Sequence, residues 1–241
     1  MRSFAAATGI ASARRAGYGM VMDFTDVDVW IFDLDNTLYD PSAALFSQIE
    51  RRMTDYVSRQ LAVTPAEANR LRDDYWRRYG TTLAGLMAEH GIDPAPYLAD
   101  VHDIDFSVLR PDPALAQAIR ALPGRKIVHT NADALYASRV LDHRQLPVFE
   151  AIYGIEEVGF HPKPDARAYD SVIKAHAIDP TRAAFFEDDP RNLAVPHDLG
   201  MRTVLVGRGR HGPDELAEDH DHGPHVHHRT DDLTAFLREL T

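Results

Sequence analysis

The sequence predicts an α/β protein: a Rossmann-like parallel sheet sandwiched by helices, with a small all-helical cap domain inserted after the first strand. Three observations carry this. Five short apolar runs rich in β-branched or aromatic residues punctuate the chain from residue 27 onward. After the first, each run is separated from the next by a stretch of helical pattern or a loop, as when parallel strands are covered on both faces. The interval of about ninety residues between the first run and the second contains helical periodicity and no convincing strand.

The runs are "VDVWIF" (27–32), "KIVHT" (126–130), "FEAIYG" (149–154), "AAFFE" (183–187) and "RTVLVG" (202–207). The covering helices are expected over 112–122, 133–146, 165–178 and 191–200, with Gly200 at the last C-terminus, before the next strand. In the long interval, "PSAALFSQIERRMTDYVSRQL", "TPAEANRLRDDYWRRYG" and "TTLAGLMAEHG" read as helices opened by capping or N1 residues, and Thr64 to Glu67 has capping-box spacing. The expected organisation is a tail over 1–25, a core built from 26–40 and 109–241, and a helical cap over 41–108. The first twenty residues are rich in Ala, Ser and Arg and lack acids. A transit peptide looks similar, but an unstructured tail or an early start codon explains the composition as well.

Composition narrows the function. A formal net charge of −11 over 241 residues repels phosphate backbones, so polymeric nucleic acid is not an expected partner. No apolar run is long enough to cross a bilayer, so no membrane partner is expected. The absence of cysteine excludes disulfides and thiolate metal sites and fits a reducing, cytoplasmic setting.

Directly behind the first apolar run stand Asp33 and Asp35. In extended chain, residues two apart face the same side, and in an open parallel sheet that side, at the carboxyl ends of the strands, is where ligands bind. A lone D-x-D would be read as turn capping, with Asn36-Thr37 continuing the turn. The ends of the other strands decide otherwise. The second run ends in Thr130-Asn131, Lys163 sits between two prolines before the helix at 165, and the fourth run passes into Glu187-Asp188-Asp189. Two carboxylate clusters facing one another require a divalent cation, and such oxygen ligands suit Mg²⁺.

The order D-x-D-x-T, strand-end T-N, K-P and E-D-D-x-x-N resembles the haloacid dehalogenase superfamily from about residue 27 to the end. The insertion resembles the helical cap of its first subfamily. "DLDNTLY", "HTNAD", "KPDARAY" and "FFEDDPRNL" look most like its pyrimidine 5′-nucleotidase-like branch. The resemblance implies a Mg²⁺-dependent phosphatase acting on a nucleoside monophosphate. Asp33 would be the nucleophile that forms an aspartyl-phosphate, and Asp35 the acid and then the base. Thr130 and Asn131 would hold phosphoryl oxygens with Lys163 balancing charge, and Asp188 would bind the metal with Asp33 and the Asp35 backbone carbonyl. In this alignment Asp189 stands where a serine is common, and it is the weaker metal candidate. Superfamily members that remove halide do not usually keep the second carboxylate, so Asp35 argues against dehalogenation. A sugar-phosphate phosphatase or a phosphomutase would share this core, and a non-catalytic metal-binding module is the reading from another class.

Six of the thirteen histidines fall within 211–232, where adventitious transition-metal binding competes with a polar loop leading to a short edge strand near Val226. His129 and His161 lie near the site and read as structural. Tyr75, Trp76 and Tyr79 at helical spacing read as cap core.

Overall fold

All five apolar runs become strands of a single sheet. The computed structural model describes residues 23–207 and 223–241. The strands are β1 (Val29–Phe32), β2 (Arg125–His129), β3 (Ala151–Tyr153), β4 (Ala183–Glu187) and β5 (Arg202–Val206). A sixth, β6 (His228–Thr230), lies two residues beyond the edge strand expected near Val226. The order is β3-β2-β1-β4-β5-β6 with every pairing parallel. Most of the expected tail, residues 1–22, and residues 211–222 of the His-rich stretch lie outside the described residues.

The central strands are the most apolar because they are covered on both sides, and every residue of β1 and β4 is buried. Phe32 stacks on Phe186 with ring centroids 4.6 Å apart, and Phe149 packs edge-on against Phe32 at 5.8 Å. Trp30 is buried in the same layer, its indole N–H donating to the Pro123 carbonyl at 2.7 Å. Helices α5 (Pro113–Ala121), α6 (Ala134–Arg144), α7 (Ala166–His176) and α9 (Leu233–Glu239) belong to this core, and each opens on an aspartate whose side chain accepts from a first-turn amide. The helix expected over 191–200 divides into a 3-10 turn, Pro190–Leu193, and the short α8 (Ala194–Asp198), because Asp189 caps the turn and breaks the register.

The insertion between β1 and β2 contains α1 (Leu45–Leu61), α2 (Pro65–Tyr79), α3 (Thr82–His90) and α4 (Pro94–Val101). Sequence periodicity shows only the first three. Thr64 caps α2 as expected, accepting from the Glu67 amide at 3.3 Å, but the Glu67 side chain pairs with Arg70 instead of closing the box. Arg52 and Arg59 of α1 both reach Asp100 of α4, at 3.2 and 2.5 Å. At Gly85 a Cβ would fall 2.3 Å from the Tyr75 ring, so only glycine lets α3 pack so closely on α2. Both crossings between core and cap are fastened by Arg144 of α6, which donates to the carbonyls of Leu38 (3.2 Å) and Arg110 (2.7 Å).

Sheet register positions the site. Phe32 pairs with Val128 on one side and Phe186 on the other, so β1, β2 and β4 end level, and Asp33, Thr130 and Glu187 emerge along one edge. The connections leave β1 towards β2 and β3 on one flank and towards β4 and β5 on the other. That edge is therefore a topological switch point, where open α/β sheets bind ligands.

Candidate active site

Lys163 is the centre of the constellation. Its ammonium, 1 % exposed, donates to Asp33 Oδ1, Glu187 Oε2 and the His129 carbonyl, each at 2.7 Å. All three ammonium donors thus have partners, and oxygens from β2, β4 and the residue that follows β1 converge on one charge. The loop carrying it is clasped by Asn131, whose side chain donates to the Lys163 carbonyl at 3.1 Å and accepts from the Lys163 amide at 2.8 Å. Asn131, expected to hold phosphoryl oxygens, uses both ends of its side chain to fix the lysine. Thr130 lies beside it, buried, its hydroxyl oxygen accepting from the Ala132 amide at 3.1 Å.

One lysine faces more than one carboxylate. Oxygens of Asp33, Glu187 and Asp188 lie within 4.8 Å of one another, the one such acidic or histidine group among the described residues. Burial, with the Glu187 charge beside it, pushes the Asp33 carboxyl from its ordinary 3.8 to about 7 against the pull of Lys163. Burial and Asp188 also raise Glu187 against Lys163. A divalent cation would relieve this excess of buried negative charge, and the three carboxylates are oxygen ligands that could hold one. Of the three, Glu187 is the most committed: Oε2 accepts from Lys163, and Oε1 accepts from the amides of Asp188 and Asp189 at 3.2 Å.

Asp189, the weaker candidate from the sequence, has other work. It caps the 3-10 turn through the Arg191 amide (3.0 Å) and pairs with the Arg191 guanidinium at 2.6 Å. Arg191 then lies 3.3 Å over the Trp76 ring of α2 and donates to its carbonyl at 3.3 Å. The acidic loop and the cap are joined through this arginine.

Asp35 is held by two phenols that sequence reasoning missed. Tyr39 and Tyr136 donate to its Oδ1 at 2.5 and 2.6 Å. Burial raises the Asp35 pKa, opposed by these two bonds and by the His102 and Lys163 charges. Tyr136 is sandwiched in turn: the His102 ring stacks on it at 4.3 Å and bonds Asp133 at 2.6 Å through Nδ1. Tyr39 lies inside the quoted "DLDNTLY" and was legible as a neighbour. Tyr136 is 101 residues from Asp35 and His102 sits in the cap, so no local pattern announces either. His129 is buried under Tyr169 and Phe185, with burial and Lys163 holding its imidazole neutral and neither ring nitrogen hydrogen-bonded.

A cavity of about 220 Å³ joins this edge to the cap. Asp33, Asp35, Thr130, Asn131 and Asp188 line its floor, while Phe46, Ile49, Met53 and Leu98 line the cap side. Of the aromatics in the insertion, Phe46, Trp76 and Tyr97 line the cavity.

Residues 27–200 match the haloacid dehalogenase-like hydrolase family. The chain belongs to that family. Among curated proteins, this hydrolase is similar to phosphate metabolism protein 8 of Saccharomyces cerevisiae, 23% identical over 194 residues covering 73% of this chain and 60% of that protein, so it spans less than two thirds of that relative. Similar solved structures include a haloacid dehalogenase-like family protein from Streptococcus pneumoniae (TM-score 0.58, 17% identity, 90% of this chain and 100% of that one). The HAD-hydrolase YfnB from Bacillus subtilis, bound to magnesium, gives TM-score 0.57 at 15% identity, covering 89% and 99%. The L-2-haloacid dehalogenase from Xanthobacter autotrophicus gives 0.54 at 16%, covering 88% and 97%. These structural likenesses establish the shared α/β fold. Among the described residues, no helix is long and apolar enough to cross a membrane.

Proposed function

We propose that this hydrolase is a Mg²⁺-dependent phosphomonoesterase working through an aspartyl-phosphate on Asp33, with a pyrimidine nucleoside 5′-monophosphate as substrate. The observation that carries the reading is the pair of differently held carboxylates at one sheet edge. Asp33 is embedded among Lys163, Glu187 and Asp188, and Asp35 is withdrawn onto two phenols. A halide leaves without a proton, so Asp35 would have no task in dehalogenation, whereas an alkoxide leaving from phosphorus needs one.

Asp33 and Asp188 would hold the cation, with Glu187 at its border and the Asp35 carbonyl as the expected further ligand. The cation supplies charge neutralisation that lets a carboxylate approach an anionic ester. The protein does the rest. Lys163 fixes Asp33 Oδ1, so the carboxylate is presented in one orientation. An oxygen of Asp33 attacks phosphorus as the ester P–O bond breaks, and the leaving oxygen takes the proton from Asp35. With Oδ1 held by Tyr39 and Tyr136, that proton resides on Oδ2, and the raised Asp35 pKa favours the protonated form. Asp35, now a carboxylate, takes a proton from water, which attacks the aspartyl-phosphate and releases phosphate. Thr130 and the backbone beside it are the donors for phosphoryl oxygens, with Asn131 holding Lys163 in register.

The test is kcat/KM for UMP, CMP, AMP, GMP and ribose 5-phosphate at fixed Mg²⁺. The pyrimidine nucleotides are expected to lead. A sugar phosphate ahead by about tenfold, ~1.4 kcal/mol in transition-state binding, removes the nucleotidase assignment, and no Mg²⁺-dependent hydrolysis of any ester removes the phosphatase one.

A further inference from the structure

A histidine on the cap wall has one ring nitrogen committed to the fold and one left over. His102 caps the C-terminus of α4, its amide donating to the Leu98 carbonyl at 3.2 Å. Residues four apart share a helix face, and Leu98, Val101 and His102 all line the cavity that holds Asp33 and Asp35. His102 Nδ1 lies 2.6 Å from Asp133 Oδ2. Burial would raise the Asp133 carboxyl, yet the bonds from His102 and the first-turn amides of α6 hold it below its ordinary value. Asp133 is therefore an acceptor only, and Nδ1 carries the proton between them. Nε2 has no partner among the described residues, and it is not an atom sealed from solvent. The side chain is 9 % exposed and lines the cavity, so Nε2 is the part of the ring that the cavity reaches.

The ring cannot turn away. It stacks on Tyr136 at 4.3 Å, and Asp133 accepts from the Tyr136 amide at 2.6 Å through its other oxygen. One carboxylate thus sets His102 and Tyr136 in register, and the Tyr136 phenol holds Asp35 at 2.6 Å. Nε2 is fixed one aromatic stack away from the acid that meets the ester oxygen, where the next atoms of the leaving group must lie. A bond between cap and core would need only Nδ1 and the stack. The second nitrogen is what that role leaves unexplained.

We propose that His102 Nε2 forms a subsite for a hydroxyl group on the leaving group of the substrate, a sugar or other polyol bound between the acid and the cap. The proposal rests on the phosphomonoesterase reading of the same cavity and adds to it a residue that selects the leaving group beside the ester. A hydroxyl both donates and accepts, so it pairs with Nε2 whether the ring is neutral or charged. A carbonyl pairs only with the charged ring, and an ammonium only with the neutral one. A leaving group without the hydroxyl would strip Nε2 of water and give no bond in return, which is how a polar site rejects an analogue.

The experiment measures kcat/KM for UMP and its 2′-deoxy and 3′-deoxy analogues in the full chain and in His102→Asn and His102→Phe. Ribose 5-phosphate and 2-deoxyribose 5-phosphate run alongside, so that a sugar phosphate as the better substrate still tests the subsite. Asparagine keeps an N–H for Asp133, phenylalanine keeps the stack on Tyr136, and neither presents Nε2. In the parent, at least one deoxy analogue should fall about tenfold or more below its hydroxylated partner, and that ratio should shrink to about twofold or less in both variants. A purely structural role would lower all the esters together. A ratio retained in either variant that folds therefore overturns the subsite. Deoxy analogues equal to their partners in the parent also overturn it, while the phosphatase reading stands. Hydrolysis of none of the five esters by the parent refutes the phosphatase reading itself, and the subsite with it.

Discussion

Replacing Asp33, the proposed nucleophile, should stabilise the protein that it inactivates. Asp33→Asn preserves the oxygen that accepts from Lys163 and removes one of three converging carboxylates. Since burial and Glu187 raise the folded pKa to about 7 from 3.8, ionised Asp33 opposes folding at neutral pH. The unfolded chain loses this proton near pH 4 and the folded chain keeps it until about pH 7, so stability falls as pH rises through that window. At pH 8 the full penalty would be about 4 kcal/mol, and relaxation and water entry at a cavity edge reduce it to roughly 2 kcal/mol. The assay is urea unfolding in EDTA at pH 4 and pH 8. Asp33→Asn should be the more stable at pH 8, and the advantage should shrink towards pH 4. Mg²⁺ should stabilise the parent protein more than the variant, because the cation then answers a charge the variant lacks. A variant less stable than its parent at pH 8 without Mg²⁺ would refute the excess of negative charge, and with it the physical case for the cation site. Retained turnover would refute the covalent mechanism.

Other variants separate the remaining roles. Lys163→Met should lose about 3 to 5 kcal/mol, since it strands two buried carboxylates, and added Mg²⁺ should recover part of the loss in a thermal melt. Asp35→Asn should slow alkyl phosphates far more than aryl phosphates with good leaving groups, and equal losses would count against the acid. Asp188→Ala should raise the Mg²⁺ concentration needed for half activity, while Asp189→Ala should lower stability by about 1 kcal/mol through its lost cap and leave the Mg²⁺ requirement near that of the parent. The reverse ranking would mean that the two aspartates have been assigned each other's roles.

Much of this was legible because local chemistry and global position coincide. Short apolar runs such as Val29–Phe32 and Ala183–Phe186, rich in aromatic or β-branched residues, read as doubly covered strands, and the polar residues that end them are the ones at the sheet edge. Aspartates at 112, 133, 165 and 232 announce their helices because a cap acts through the next three residues. Helix α4 escaped notice because "PAPYLADV" puts a proline at its first and third positions, disguising a first turn in which a missing amide costs nothing. In the second acidic cluster the sequence ranks Asp188 over Asp189 as a metal ligand by resemblance alone. What differentiates the three carboxylates is tertiary: Lys163 and two amides occupy Glu187, and Arg191 occupies Asp189. The clasp of Asn131 on Lys163 spans 32 residues, and the phenol of Tyr136 reaches Asp35 across 101, separations at which sequence carries residue type but not partner.

The contact between Arg191 and Trp76 makes the protein optically readable. The chain has two tryptophans, and they report on different places. Trp30 is sealed in the sheet layer with its indole N–H bonded to a carbonyl, so its emission should follow unfolding alone. Trp76 lies under a guanidinium that belongs to the acidic loop, so the charge above its ring changes whenever the cap lifts or that loop rearranges. With Trp30→Phe as background, stopped-flow fluorescence during addition of a phosphate ester would time cap motion without an attached dye. The same trace recorded on mixing with Mg²⁺ would show whether filling the carboxylate edge and seating the cap are a single event or two.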